Sequence, residues 1–548
     1  MSIYQVLNTA KTALWANEAA LNTTSNNIAN VNTPGYTRQR AALITADPVL
    51  LGFHVIGTGV KVSGIERIYD KFLDMQILGA RQESGRYNGM SSALSRLEGI
   101  FNEANGLGLS DSMNEFFNAM DDVANDPASY PARSALLSKA ATLTDRINFL
   151  DSRTRSAIGN IEAEIKGSVD EANTLIKNVA RLNGRIHELE TQGNNANDLR
   201  DQRDEALRGL SEFIDISVIE DEAGQMNVLT SSGSSLVLRT DYTELSVGNN
   251  PANKNYYDIK LGAVNITDSI NSGRLRGLVD SRDGMYSNTV ESLDRLSASL
   301  MKEFNARHLT GFGLDGSTGL NFFTALSPAV VAGSNNAGKA AGSSSVYDNS
   351  LLMLDNYEIR FTDSSKFNII NTTDNTVVSY NNTYTSGANI DFEGVRVVIS
   401  DQSGVPEAGD VFRIGVTDNA SKNIGMSFTD PYKFAAASSA TTIPGDNTNV
   451  LAMAGLRDAN VLSNGTATFS AFYTAMVSDI GAATSSSMMT GNAQEAVVKE
   501  LAAYRESISG VSMEDEAVNL IKYQRAYEAA AKIVSVVDDL LDTVISMR

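Results

Sequence analysis

The residues that could do chemistry are few, and their spacing does not serve it. His187–Thr191 reads HELET, which begins like the zinc motif H-E-x-x-H, but position 191 is threonine, so the second imidazole is missing. The other histidines, His54 and His308, are far away in sequence, and the chain has no cysteine, which leaves little from which to build a zinc site. Gly311–Gly316, GFGLDG, fits G-x-G-x-x-G by letter. A helical pattern precedes it and none opens after it, the reverse of the context that cradles a dinucleotide. Carboxylates abound, among them Asp121, Asp122, Asp538 and Asp539, and in so acidic a chain they read as solvated faces. Arg200 and Asp204 stand at i,i+4 spacing, which suits a structural ion pair. No nucleophile elbow or phosphate-binding glycine loop occurs. The expectation is a chain that is not an enzyme, with no catalytic residue, no metal and no cofactor.

Stepping from these residues to the elements around them, 548 residues exceed one core and call for two to four domains. Hydrophobic residues make up 42%, enough for packed cores. The formal net charge of −21 gives phosphate backbones nothing to pair with, so nucleic acid is excluded as a partner. No apolar run reaches bilayer length, so no membrane insertion is expected. The start has a periodic rather than continuous apolar pattern and no basic leader, and is read as lacking a cleaved secretory signal.

The two ends carry the clearest periodicity. Leu7, Leu14, Leu21 and Ile28 recur every seven residues, an amphipathic helix with a narrow stripe. Leu520, Tyr523, Tyr527, Ala530, Val534, Val537, Leu541 and Val544 alternate steps of three and four, the a/d pattern of a coiled coil. Either helix alone would be marginal, because one apolar stripe scarcely offsets the entropy of ordering so many residues. The ends are therefore expected to need each other and further copies. Between the first stripe and the interior lies Asn26–Tyr36, NNIANVNTPGY. Pro34 and Gly35 suit the centre of a type II turn before Tyr36. Asn26, Asn27 and Asn30 both donate and accept, so they can satisfy neighbouring backbone, and being uncharged they would not repel copies of themselves around a ring axis.

Inside, Gly57–Gly64 reads as a linker. Leu94, Leu97, Ile100 and Phe101 form one helical face, and Met113, Phe116, Phe117, Met120 and Val123 another, stopped by Asn125–Pro127. A long helix is expected from about Ala135 to Thr191 and a second from about Arg276 to Arg307. Ile214, Ile216 and Val218, then Met226 and Val228, read as a hairpin. From Thr324 to about Gly445 the composition turns to Ser, Asn, Thr, Asp and Gly, with alternation at Val395–Ile399 and Phe412–Val416. The fold expected is multidomain α+β: terminal helices pairing as a coiled coil (1–65 and 512–548), a helical-bundle middle domain (66–323 and 446–511, with a small β-hairpin region at 213–265), and a β-rich outer domain (324–445).

Ser25–Arg40, SNNIANVNTPGYTRQR, resembles the N-terminal motif of bacterial flagellar axial proteins, the rod, hook and hook-associated proteins. Ser509–Ser546, with its core YQRAYEAAAKIV, resembles the C-terminal helix of the same group. The interior strings Gly57–Leu73, Asn197–Glu212, Gly273–Asp283 and Pro406–Val416 narrow the likeness to the hook-associated proteins. The resemblance implies a structural part of the flagellum, exported unfolded through the type III apparatus, extracellular, with its terminal helices forming the inner tube. It implies as partners the flagellar hook protein, the next hook-associated junction protein, further copies in a ring, and an export chaperone on the C-terminal helix. A hook or rod subunit, or a secreted binding protein or adhesin acting through the β-rich domain, stand as alternatives.

Overall fold

The computed structural model describes residues 3–51, 54–103, 108–401 and 404–546. The N-terminal helix α1 (Ile3–Ala29) is followed by four short strands, β1 (Gln39–Thr45), β2 (Val49–Leu51), β3 (His54–Ile56) and β4 (Val60–Arg67). β1 pairs antiparallel with β4 and β2 with β3, a long two-part hairpin. Residues 57–64, expected as a linker, thus belong in large part to β4, and the N-terminal portion is not purely helical. The glycines at 57, 59 and 64 mask an alternation of Val60 and Val62 with Lys61 and Ser63 that is the strand signal.

Six helices make most of the body: α2 (Lys71–Phe101), α3 (Leu109–Asn125), α4 (Tyr130–Glu190), α5 (Asn197–Phe213) and, after two small sheets, α6 (Gly273–Asp280), which runs through a π-helical turn at Ser281–Tyr286 into α7 (Ser287–His308). Asp70 caps α2, its carboxylate accepting from the Phe72 and Leu73 N–H groups. Ser129 caps α4, and Pro131 sits in the first turn, where its missing N–H costs nothing; the helix therefore begins five residues before the position read from periodicity. Asn125–Pro127 ends α3 as expected, and Met113, Phe116, Phe117, Met120 and Val123 are all buried. The expected hairpin of 213–265 is larger than foreseen. It forms a four-stranded sheet, β5 (Ile216–Glu220), β6 (Met226–Thr230), β7 (Ser235–Leu238) and β8 (Asp241–Tyr242), and a three-stranded one of β9 (Leu245–Asn250), β10 (Tyr256–Leu261) and β11 (Val264–Asn265). Of the extra strands, β8 and β11 have only two residues each, and Tyr256–Leu261 shows no clean alternation, with Asp258 and Ile259 both buried.

The outer part holds two antiparallel sheets. One runs β12 (Ala329–Ala332), β19 (Val411–Gly415), β14 (Asn356–Asp363), β15 (Lys366–Asn371), β16 (Thr376–Thr383); the other β13 (Ala341–Val346), β18 (Val395–Ser400), β17 (Asn389–Phe392). The residues on either side of these strands belong to the helical body. The Asp294 carboxylate accepts from the backbone N–H groups of Asn419 and Ser421, and buried Phe322 and Phe323 join a ring cluster with Phe116 and Phe304. After two short helices, α8 (Ala420–Asn423) and α9 (Thr448–Ala454), the chain returns through α10 (Phe469–Ser509), packed on α2, and ends in α11 (Met513–Ser546), packed on α1.

His308 closes the last turn of α7 in full burial. Its Nδ1–H donates to the Leu320 carbonyl at 2.6 Å, and its Nε2 accepts the Ala435 N–H at 3.0 Å. Burial pushes the imidazole down to about 4 against a weaker pull upward from the Leu320 carbonyl. The unfolded chain therefore binds a proton that the folded chain refuses between pH 6.5 and about 4, and stability falls as pH falls through that window. His308→Gln can donate and accept in the same way without titrating. Relative to that variant, the native chain should lose about 3 kcal/mol of unfolding free energy between pH 7 and pH 4 in urea titrations. Parallel pH profiles for the two proteins would refute the assignment.

Candidate assembly site

The two ends meet at a polar node built on residues 33–39. The Tyr36 N–H donates to the Thr33 carbonyl at 3.2 Å and Gly35 has φ +79°, so Pro34 and Gly35 form the expected type II turn. The asparagines serve the chain's own backbone. Asn27, buried, donates to the Gln39 carbonyl at 2.8 Å and accepts the Gln39 N–H at 3.0 Å and the Tyr36 hydroxyl at 2.9 Å. Asn26 donates to the Tyr36 hydroxyl, and Asn30 donates to the Asn26 carbonyl and side chain. Burial, then the carboxylates of Asp198, Asp201 and Glu516, raise the Tyr36 phenol, which stays protonated and donates.

From this turn the bonds fan out to three elements. To α5, Thr37 N–H donates to Asp201 Oδ2 at 2.9 Å and Gln39 Nε2 to Asp198 Oδ1 at 2.7 Å. To α10, Arg505 donates to the Gly35 carbonyl at 2.9 Å, and the Arg38 N–H to the Ser509 carbonyl at 2.8 Å. To α11, Arg38 Nε reaches buried Glu516 at 2.7 Å. The returning leg of the hairpin is fastened more deeply at the same end. Arg67, at the end of β4, places Nη1 2.6 Å from Asp201 and 2.8 Å from Asp204, with all three side chains under 10% exposed. Burial alone would lower the Arg67 guanidinium; Asp204 and Asp201 outweigh it and hold it charged. Beside it, Arg208 pairs with Asp74 at 2.8 Å and Tyr69 donates to the other Asp74 oxygen. The Arg200–Asp204 pair expected from spacing does not form. Arg200 turns to Glu190 and Glu220, because Asp204 is taken by Arg67 from another element.

Below the node α1 and α11 run antiparallel, since α1 ends where α11 begins. Ser512 caps α11 by accepting the Asp515 N–H. The buried residues of α1 are small: Ala10, Ala16, Ala20, Thr23, Thr24 and Asn27. Those of α11 are Glu516, Ala530 and Val537. Leu7, Leu14, Leu21 and Ile28 are half-buried, as are Leu520, Tyr523, Val534 and Leu541, while Tyr527 and Val544 lie exposed. Small residues at the seam let the two backbones approach, so the larger side chains flank it rather than fill it. Periodicity finds the stripe but weights it by large residues, which is why the leucines rather than the alanines were expected to fill the seam.

Among the described residues no helix is long and apolar enough to cross a membrane, and no group of three or more His, Cys, Asp or Glu side chains is gathered as for a metal ion.

This arrangement, one chain whose two ends form a single helical element held at a polar node, can now be set beside known proteins. The flagella basal body rod protein model matches residues 7–37, and the basal body rod FlgEFG C-terminal model matches 505–547. Both partners of the terminal pair thus carry signatures of the axial structure of the flagellum. The model of the flagellar hook-associated protein FlgK helical domain matches 94–323. Flagellar hook-associated protein 1 of Salmonella typhimurium is 30% identical over 558 residues, covering 99% of this chain and 100% of that protein. The Escherichia coli K12 protein of the same name is 30% identical over 553 residues, and that of Bacillus subtilis 26% over 580. The solved flagellar hook junction protein FlgK from Burkholderia pseudomallei superposes with a TM-score of 0.66 at 20% identity, over 79% of this chain and 100% of that one, a likeness of fold. The chain belongs to the flagellar hook-associated protein 1 family, a structural family of the bacterial flagellum.

Arg67→Met tests the node. It leaves Asp201 and Asp204 buried without a counter-charge and should cost about 3–5 kcal/mol. Amide exchange in 39–45 and 60–67 should quicken, and adding Asp201→Asn and Asp204→Asn should recover most of the loss. Unchanged exchange in the single variant would show that the hairpin is held elsewhere.

Proposed function

We propose that the chain is the adaptor that joins hook to filament, and that its assembly element is the antiparallel pair of α1 and α11. The observation that carries this reading is the pair itself. The two ends of one chain are sealed to each other along a small-residue seam, fastened to the body at one end, and left with apolar side chains on the side away from the seam. A helical pair of that kind is completed by copies of itself packed around a common axis. In this reading its neighbours are the hook protein on one side and the next hook-associated junction protein on the other. Its work is mechanical, with no catalytic step. It reaches the outside of the cell through the flagellar export route, and a chaperone shields the C-terminal helix beforehand. The domain limits follow the same logic, with two changes: the terminal unit extends to 67, the end of the hairpin, and the outer domain shrinks to 329–415. A hook or rod subunit is disfavoured by the match of the helical body to the hook-associated family.

Val537 is buried in the seam. Val537→Asp should abolish filament attachment and swimming while the thermal unfolding of the helical body stays unchanged. A normal joint in electron micrographs of that variant would refute the role of the pair. The outer sheets give the second test, because the strands that bound them, β12 and β19, are hydrogen-bonded neighbours with Ala329 opposite Gly415. Their ends lie close enough for a short glycine linker to replace 329–415. Joints and swimming should survive that replacement; their loss would favour the alternative in which the β-rich domain does the work.

A further inference from the structure

The leg that returns from the outer sheets is fastened between α4 and α7. Asn419 adopts φ +60°, and its N–H and that of Ser421 both donate to Asp294 of α7, at 3.2 and 2.8 Å. From the other side Asn148 of α4 donates to the Ser421 and Ile424 carbonyls, at 2.7 and 3.2 Å. Between the two helices Ser421 Oγ lies 2.9 Å from Asp151 Oδ1 and 2.5 Å from Asp294 Oδ1. All three side chains are buried.

A serine hydroxyl has one hydrogen and an ionised carboxylate has none. Ser421 can therefore donate to one of the two acids. Its contact with the other is a hydrogen bond only if that acid carries a proton and donates it to Oγ. The neighbours decide which acid this is. Arg155 Nε lies 2.8 and 2.9 Å from the two Asp151 oxygens and pairs with Asp151 as an anion, whereas Arg155 Nη2 is 3.4 Å from Asp294. The donors thus run from Asp294 Oδ1–H to Ser421 Oγ, and from Ser421 Oγ–H to Asp151. Burial, joined by the charge of Asp151, pushes the Asp294 carboxyl up against the opposing pull of Ser421 and Arg155. Charge counting agrees. Of the described cations only Arg155 pairs with the two acids. Lys254 is held by Glu291 at 2.7 Å, and Arg295 turns to Asp355 and the Leu354 carbonyl. Asp418 adds a negative charge to the cavity that Arg155, Asp294 and Tyr256 line, and Lys422 lies exposed in the cleft beside Asp151.

We propose that Asp151, Ser421 and Asp294 hold one proton between them, and that this proton keeps residues 417–424, and with them the return leg of the outer sheets, seated on the body. Its loss leaves two anions to one guanidinium, and the extra charge is solvated only when water enters where Ser421 sits. With the segment lifted, Asp294 ionises as an ordinary aspartate does, near pH 4. The seated form keeps the proton to higher pH, so it binds more protons than the lifted form above that point. Seating therefore weakens as pH rises, until the shared proton is gone.

Hydrogen exchange of the full chain between pH 5 and pH 8 tests this. After correction for intrinsic exchange, the protection of amides in 419–424 should fall about ten-fold per pH unit until the pair has titrated. Asp294→Asn keeps a permanent donor toward Ser421, and its protection should stay level. Parallel profiles for the two proteins overturn the proposal. Infrared spectra supply a second readout. Subtracting the Asp294→Asn spectrum from the native one at pH 6 should leave a carboxylic-acid C=O band. Subtracting that of Asp151→Asn, which frees Arg155 to pair with Asp294 as an anion, should leave the same band and serves alone if the first variant does not fold. A difference spectrum without the band refutes the shared proton.

Discussion

Arg67 between Asp201 and Asp204 is the interaction on which the arrangement of the ends depends. Three charges withdrawn from water are tolerated only where each finds an opposite partner at hydrogen-bond distance, and here they do, at 2.6 and 2.8 Å. Asp201 spends its second oxygen on the Thr37 N–H. One carboxylate thereby holds both the entry to β1 and the exit of β4, so both legs of the hairpin leave α5 in a fixed direction. The terminal helices inherit that direction. Arg38 carries it to α11 through Glu516, and Asn27 carries it to α1 through Gln39. A charge-paired node is directional where an apolar contact is not, which suits an element that, in the proposed reading, meets other copies at a set angle.

The body behind the node is built to hold still. α2 lies so close to α6 that a side chain at Gly277 would collide with the Arg86 carbonyl, and so close to α5 that one at Gly85 would collide with the Glu212 carbonyl. Arg133, fully buried, donates to carbonyls at Pro127 and Phe434, and burial lowers its guanidinium to about 10. It ties the start of α4 to the segment that returns from the outer sheets. The β-rich part is thus carried on the body through two connecting segments that pack into the helical core, and Arg295 of α7 reaches the Leu354 carbonyl and Asp355 before β14. Such a graft can vary without disturbing the axis.

The chemistry of the surface follows from the same division of labour. An acidic chain stays apart from its copies while free, and in the proposed reading the residues that bring copies together lie in the terminal unit. α11 shows both functions on one helix: a seam of Ala530 and Val537 turned to its own chain, and an apolar side turned outward. The two faces are separate because one stripe cannot be filled twice.

Sequence alone determined what depends on neighbours along the chain. The seven-residue repeat of α11, the turn at Pro34 and Gly35, the stop after Asn125 and the great length of α4 all rest on local periodicity or on backbone preference, and each was legible without coordinates. The likeness of both ends to flagellar axial proteins was legible for the same reason, since it resides in continuous strings. Only the tertiary structure decided the partners of charged and polar groups. Asp204 pairs with Arg67 rather than with Arg200, Asn27 serves Gln39, and His308, unremarkable as a letter, is buried between the Leu320 carbonyl and the Ala435 N–H. It also decided that small residues of α1, not its leucines, line the seam, and that 39–67 is a hairpin. These outcomes turn on groups brought together from tens to hundreds of positions apart, and desolvation at the meeting point, which no local pattern records, fixes their charge and their worth.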